Sequence, residues 1–137
     1  MATSIIQNKS FDFALKIVHL YSQLQQHKEY VISNQLLKSG TSIGANVEEA
    51  SGGQSRKDFL AKMYIAYKEA RETKYWLRLL QHSNLVNLDV TQELIYIDEI
   101  IRILSSIVKT TEQSINKSHE NNKSNNSQLL TPNSQLP

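Results

Sequence analysis

The chain contains no cysteine. That absence excludes disulfides, thiolate metal sites and cysteine nucleophiles together, and it suits a reducing compartment. No apolar run approaches the roughly 18–20 residues needed to cross a bilayer, so no membrane partner is expected. The N-terminus, MATSIIQNKSFDF, lacks a basic stretch followed by an apolar core, so no secretory signal is expected. The expected location is the cytoplasm. Nothing in the pattern reads as a β-strand. A strong charge imbalance is missing too: 15 basic residues against 13 acidic ones leave a net charge of +2. So small an excess speaks of nucleic acid only if the cations gather on one surface.

Patterns that carry chemistry are also absent. Di-iron bundles use Glu-x-x-His motifs on two helices, and none of His19, His27, His82 and His119 follows a Glu by three. Ser39, Thr41, Ser42 and Ser51 have no base in a defined relation to them and no strand-turn-helix elbow. The glycine-bearing run SGGQSRK lacks the spacing of a phosphate loop. It does set Arg56 and Lys57 at a helix start, where one phosphate contact would be favoured. No catalytic residue, metal or cofactor is expected, and the protein reads as non-enzymatic.

What is present is helical periodicity. With 137 residues the chain suggests one domain. The first amphipathic segment covers 11–26, where Phe13, Ile17, Leu20 and Leu24 share a face and Ser10 would be the N-cap. The second covers about 33–51, with Ile32, Leu36, Gly40, Ile43, Val47 and Ala50 in its seam. Gly40 and Gly44 each cost roughly 1 kcal/mol inside a helix, so close packing of a neighbouring helix is the expected reason for them. Gly52-Gly53 would end the segment in the left-handed conformation. Ser55 and Asp58 then have capping-box spacing. Phe59, Met63, Ala66, Ala70, Thr73, Leu77 and Leu80 follow as an unbroken heptad seam to about His82. A fourth segment runs from near Asp89 to near Ser114 through Leu94, Ile97, Ile101, Leu104 and Val108. From Asn116 the composition turns to Asn, Ser and Gln without helical period, which predicts disorder. The fold expected is all-α: an antiparallel up-down-up-down four-helix bundle over 11–115, an N-terminal extension at 1–10 and a disordered tail at 116–137.

The third helix carries more apolar surface than a bundle needs. Tyr64, Tyr67, Trp76 and Leu79 beside its seam predict burial against another copy of the chain. Asn46, with Glu48, Glu49, Glu69 and Glu72, reads as a structural polar network that fixes register. Charge is divided between helices. Basic residues dominate from Arg56 to Arg78, and acids dominate from Asp89 to Glu112. Lys68, Arg71 and Arg78 share a strip with Tyr75, and Arg56, Lys57 and Lys74 lie on the same helix. Cations interleaved with an aromatic suit a phosphate backbone and an unstacked base. Arg56, Lys57, Lys68, Arg71, Lys74, Tyr75 and Arg78 are therefore the candidate nucleic-acid contacts, whether RNA or DNA. The alternative is an ordinary solvated face, paired in part with acids of a neighbouring subunit.

The run SGTSIGANVEEA and the run SRKDFLAKMYIAYKEARETKYWLRLL also carry a family resemblance. Ser39, Ser42, Ile43, Asn46 and Glu49, then Ser55, Arg56 and Phe59, then Lys68-Glu69-Ala70, Glu72-Thr73 and Tyr75-Trp76-Leu77 form its pattern. It resembles the four-helix-bundle family of proteins encoded in intervening sequences of bacterial large-subunit ribosomal RNA. That family is similar in turn to the accessory variability protein of diversity-generating retroelements. The likeness covers about 11–107 and departs at Glu48 to Gly53, where many relatives have a single acid and a basic residue after the glycine. It implies a ring-shaped homopentamer with a basic surface. The accessory relatives bind nucleic acid and a reverse transcriptase. A protein-interaction scaffold, for a reverse transcriptase or an RNA-processing partner, is therefore the alternative function.

Overall fold

The computed structural model of the chain describes the backbone of residues 2–134 and the side chains of residues 3–125. Four helices account for the fold: α1 (Ala2–Gln26), α2 (Val31–Ser51), α3 (Arg56–Ser83) and α4 (Thr91–Ser134). Each packs on its neighbours in the chain and α1 closes on α4, while the backbones of the diagonal pairs stay farther apart among the described residues. This is the up-down-up-down bundle expected from four periodic segments and short connections. No described helix is long and apolar enough to cross a membrane.

The seams meet as the periodicity requires. Phe13, Ile17, Leu24, Leu36, Ile43, Met63, Leu77, Leu80, Ile97, Ile100 and Leu104 are fully buried. Ile100 is central, whereas Leu94 and Ile101 are only half-buried. A hydroxyl pair crosses the core between α2 and α3: Ser39 and Thr73, both fully buried, share a hydrogen bond of 2.9 Å.

Gly40 and Gly44 have the role their seam position suggests. A Cβ on Gly40 would lie 2.9 Å from both Ile17 γ-carbons, and one on Gly44 would lie 3.4 Å from the Ser10 carbonyl oxygen. Both glycines let α1 approach α2.

The helix ends depart from expectation in three places. Helix α1 starts at Ala2, not near Phe11, because Ile6 extends the seam one heptad and is fully buried. Ser10 is thus buried inside the helix, donating to the Gln7 carbonyl at 3.2 Å, and is not a cap. The segment 3–10 is part of the packed bundle through Ile6 and Ser10. Second, Gly52 and Gly53 are not left-handed; no described glycine has positive φ. The left-handed residues are Lys28 (φ 63°) and Asn84 (φ 57°), which close α1 and α3. Gly53 serves close approach, since a Cβ there would meet the Ala50 carbonyl oxygen at 3.0 Å. Third, α4 begins at Thr91, with Asp89 ahead of it accepting from the Thr91 backbone N–H at 3.0 Å and from Gln81 Nε2 at 3.1 Å. Hydrogen bonds from Thr91 and Gln81 hold the Asp89 carboxyl below its ordinary value.

Two caps set the helix starts. Ser55 accepts from the Asp58 N–H, as the capping-box spacing predicts. Glu29 caps α2 in a way the pattern did not reveal. Its carboxylate accepts from the N–H groups of Val31, Ile32 and Ser33 at 3.2, 2.9 and 2.8 Å.

At the other end, packing stops near Ile115. Every described side chain from Asn116 to Asn125 is exposed, so this Asn/Ser-rich segment adds nothing to the core. The α4 backbone nevertheless continues helically to Ser134. Of the expected tail, residues 135–137 lie outside the described residues.

Candidate nucleic-acid interface

Helix α3 turns one face to the core and the opposite face to solvent in the same rhythm. The core seam steps by fours and threes from Phe59 to Leu80. Two residues out of phase with it, Lys57, Ala61, Tyr64, Lys68, Arg71, Tyr75, Arg78 and His82 step identically, and all are exposed. A two-residue offset is about 200° around a helix, so this stripe stands opposite the seam. It runs nearly the whole length of α3, roughly 40 Å at 1.5 Å per residue.

The cations of α3 divide into two groups. Lys62 bridges to Glu49 on α2 at 3.1 Å, and Lys74 bridges to Asp98 on α4 at 2.7 Å. Lys74, a candidate contact by sequence, is half-buried and its charge is spent on a neighbouring helix. Lys57, Lys68, Arg71 and Arg78 have no acid within 4.0 Å among the described residues. Arg56, the first residue of α3, is also exposed but lies off the stripe, beside Ala50, Ser51 and the turn that joins α2 to α3. The stripe is thus a run of free cations broken by two tyrosines. Lys68 Nζ lies 5.6 Å from the Tyr64 ring centroid, and Arg71 Cζ lies 5.8 Å from that of Tyr67. These are cation–π distances, and they hold two cations close to the helix surface.

The candidate subunit-interface residues separate in the same way. Tyr67 and Trp76 are half-buried on the flanks and pack against their own core. Trp76 Nε1 donates to Glu72 Oε2 at 3.4 Å. Tyr64 and Leu79 are exposed among the cations. Tyr64 lies on the stripe itself and Leu79 beside it. Periodicity alone could have joined Tyr64 and His82 to the stripe.

The acids do not form one network with Asn46. Asn46 Nδ2 donates to the Ser42 carbonyl of its own helix at 2.8 Å. Glu48 meets Gln7 at 3.5 Å, Glu49 takes Lys62, and Glu72 takes Trp76. The amide finds its partner one turn back, which leaves nothing to draw the carboxylates together. The buried polar contact between α2 and α3 is Ser39–Thr73 instead. Glu69 sits beside Glu72. Burial chiefly, then the Glu72 charge, push its carboxyl above the ordinary value of 4.5 against the pull of Lys38 and Lys68. No three of His, Asp and Glu converge as metal ligands among the described residues.

A second exposed apolar surface lies on α1. Phe11, Leu15 and Val18 on α1 are 63%, 48% and 45% exposed. They lie in a stripe two residues out of phase with the α1 seam, the same signal that marks the α3 stripe. Between α1 and α2, Phe11 and Ala14 face Thr41, Gly44 and Ala45 across a shallow groove.

Comparison with known proteins agrees with the fold. A solved structure, described as a protein with unknown function from the S23 ribosomal protein family of Bacteroides thetaiotaomicron VPI-5482, is 45% identical in sequence and superposes with a TM-score of 0.75. The match covers 80% of this chain and 99% of that one. No curated protein matches the chain. A family model described as 23S rRNA-intervening sequence protein matches residues 2–124, wider at both ends than the 11–107 expected from the motifs. The chain belongs to the 23S rRNA-intervening sequence protein family.

Proposed function

We propose that the protein is a non-catalytic, homo-oligomeric bundle of the cytoplasm that binds RNA through the outer face of α3. The observation that carries this reading is the uninterrupted exposed stripe from Lys57 to His82. It holds four cations free of acids among the described residues, together with two exposed tyrosines. The near-neutral chain therefore presents a concentrated positive surface, the condition that composition alone left open. The names of the family and of its solved member, which refer to 23S rRNA and to a ribosomal protein, favour RNA over DNA. A homopentamer is the assembly implied by the family resemblance. A ring would repeat the stripe and raise its avidity. The exposed apolar stripe of α1 supports a subunit contact there, leaving α3 free.

Filter binding across a salt series tests the reading. RNA affinity falls steeply with salt, and the triple variant K68E/R71E/R78E binds much more weakly, with a shallower salt dependence. An absence of binding at low salt, or unchanged binding by the triple variant, overturns it.

The α1 stripe also favours a second reading, in which a different protein docks there and the bundle is an adaptor. That reading requires a co-purifying protein retained after nuclease treatment.

A further inference from the structure

The tyrosines of α3 are not equivalent. Tyr64 has Lys68 over its ring, and Tyr67 has Arg71. Tyr75 has no cation over its ring among the described residues and is 55% exposed. Trp76 meets it almost at a right angle, with centroids 5.2 Å apart and planes at 72°. Trp76 is itself half-buried and tied to Glu72, so it braces the tyrosine from a fixed position. Tyr75 lines a shallow depression with Arg78, Leu79 and His82. Arg71 and Arg78 stand about one turn before and after it, roughly 5 Å along the axis in each direction.

We propose that Tyr75 is a base-stacking platform, and that the α3 stripe thereby selects unpaired RNA over duplex. The inference rests on the RNA-binding reading above and goes further, to the form of the RNA. A duplex keeps its bases stacked inside, and its deep, narrow major groove bars side chains. It offers the stripe phosphates and the 2′-hydroxyls and base edges of its shallow minor groove, but no free base face. An unpaired base offers its π-face as well, and each stacked base contributes to affinity regardless of sequence. The bracketing arginines meet the phosphates on either side of the stacked nucleotide. Lys68 and Arg71, already held over Tyr64 and Tyr67, lose less side-chain freedom on meeting phosphate than unrestrained cations would. Tyr64 and Tyr67 are thus positioning residues for cations, and Tyr75 alone is free to take a base.

The experiment measures the dissociation constants of the full chain for an unstructured oligouridine and for an RNA duplex of equal length, at one salt concentration. The parent protein binds the single strand more tightly. Tyr75→Ala weakens single-strand binding by roughly 5- to 150-fold, the range found for removing a base–aromatic stack, and leaves duplex binding unchanged. Tyr75→Phe, which keeps the ring, binds within about twofold of the parent, since stacking needs only the π-face. Alanine at this exposed helical position is compatible with folding, and a thermal melt of each variant checks that. Equal affinity of the parent for both RNAs overturns the proposal, as does a Tyr75→Ala variant that binds the single strand like the parent. Either result leaves RNA binding by the stripe standing. Failure of both RNAs to bind at low salt removes the RNA-binding reading and this inference with it.

Discussion

Helices α1 and α3 present the same geometry to solvent and fill it with different chemistry. On each, an exposed stripe runs two residues out of phase with the core seam. On α1 it reads Ser4, Asn8, Phe11, Leu15, Val18 and Ser22, without a single charge. On α3 it reads Lys57, Ala61, Tyr64, Lys68, Arg71, Tyr75, Arg78 and His82. Exposed apolar area alone would mark both as interaction surfaces. The charges separate them. An uncharged apolar stripe gains by burial against another apolar surface, whereas burying free cations carries a desolvation cost that needs opposite charge to offset it, which a polyanion supplies along its whole length. On the proposed reading, α1 takes the protein contact and α3 the nucleic acid.

The largest test breaks the α1 side. In Phe11→Ser/Leu15→Ser both side chains are already exposed in the single chain, so its folding stability changes by only about 0.5 kcal/mol or less. The expected outcome is a smaller species in sedimentation, and RNA affinity lower by about 10²–10⁴ because multivalent binding is lost. A double variant that sediments like the parent removes α1 from the subunit contact. The complementary change is K68E/R71E/R78E on α3. It leaves sedimentation unchanged and lowers the slope of log affinity against log salt by roughly two, at about 0.7 per lost phosphate contact on a single strand. If the triple variant dissociates the assembly, the two faces have been assigned the wrong way round.

The sequence made the bundle legible because every core seam is periodic and the connections are short. It made the α3 cations legible for the same reason. It hid the α1 face, since attention to the Phe13–Ile17–Leu20 seam leaves Phe11, Leu15 and Val18 as unremarkable residues beside it. It also suggested a polar cluster around Asn46 that local bonding dissolves: the amide reaches the Ser42 carbonyl one turn away, and no periodic rule reports that choice. Lys74 looked equivalent to Lys68 because both are basic residues on one helix. Only the packing of α4 shows that Asp98 takes Lys74 and leaves Lys68 free. Caps built from a residue in a connection, such as Glu29, depend on a turn geometry that periodicity does not describe.

The α1 face is only as fixed as the contact between α1 and α2, and the two glycines there are expected to respond with opposite signs. Gly40→Ala drives a methyl against the β-branched Ile17, whose Cβ and both γ-carbons lie within 3.3 Å of the new atom. Ile is stiff at χ1 in a helix, so it yields poorly, and overpacking of this kind costs about 1–3 kcal/mol. At Gly44 the nearest atom lies 3.4 Å away, an ordinary contact. Gly44→Ala then gains helix propensity of up to roughly 1 kcal/mol. Urea unfolding midpoints measure both. A destabilised Gly44→Ala with an unaffected Gly40→Ala would mean that α1 docks on α2 differently.

The smallest effect sharpens the α3 side. Glu69 is an acid beside the stripe, close enough to Lys68 for the two charges to interact. Its folded-state value is raised, so the folded chain holds its proton more tightly than the unfolded chain does. The resulting stability is fully present below the ordinary value of 4.5 and is lost as pH rises through the higher folded-state value. Glu69→Gln removes that loss and stabilises the protein slightly at neutral pH. It also removes a negative charge beside Lys68, so RNA affinity rises modestly and its dependence on mildly acidic pH flattens. Self-association through the uncharged α1 stripe stays constant over the same range. Thermal melts and binding curves of the parent and Glu69→Gln between mildly acidic and neutral pH check all three expectations. An assembly that loosens over the same pH range as RNA binding would show that the charged and uncharged faces are not independent.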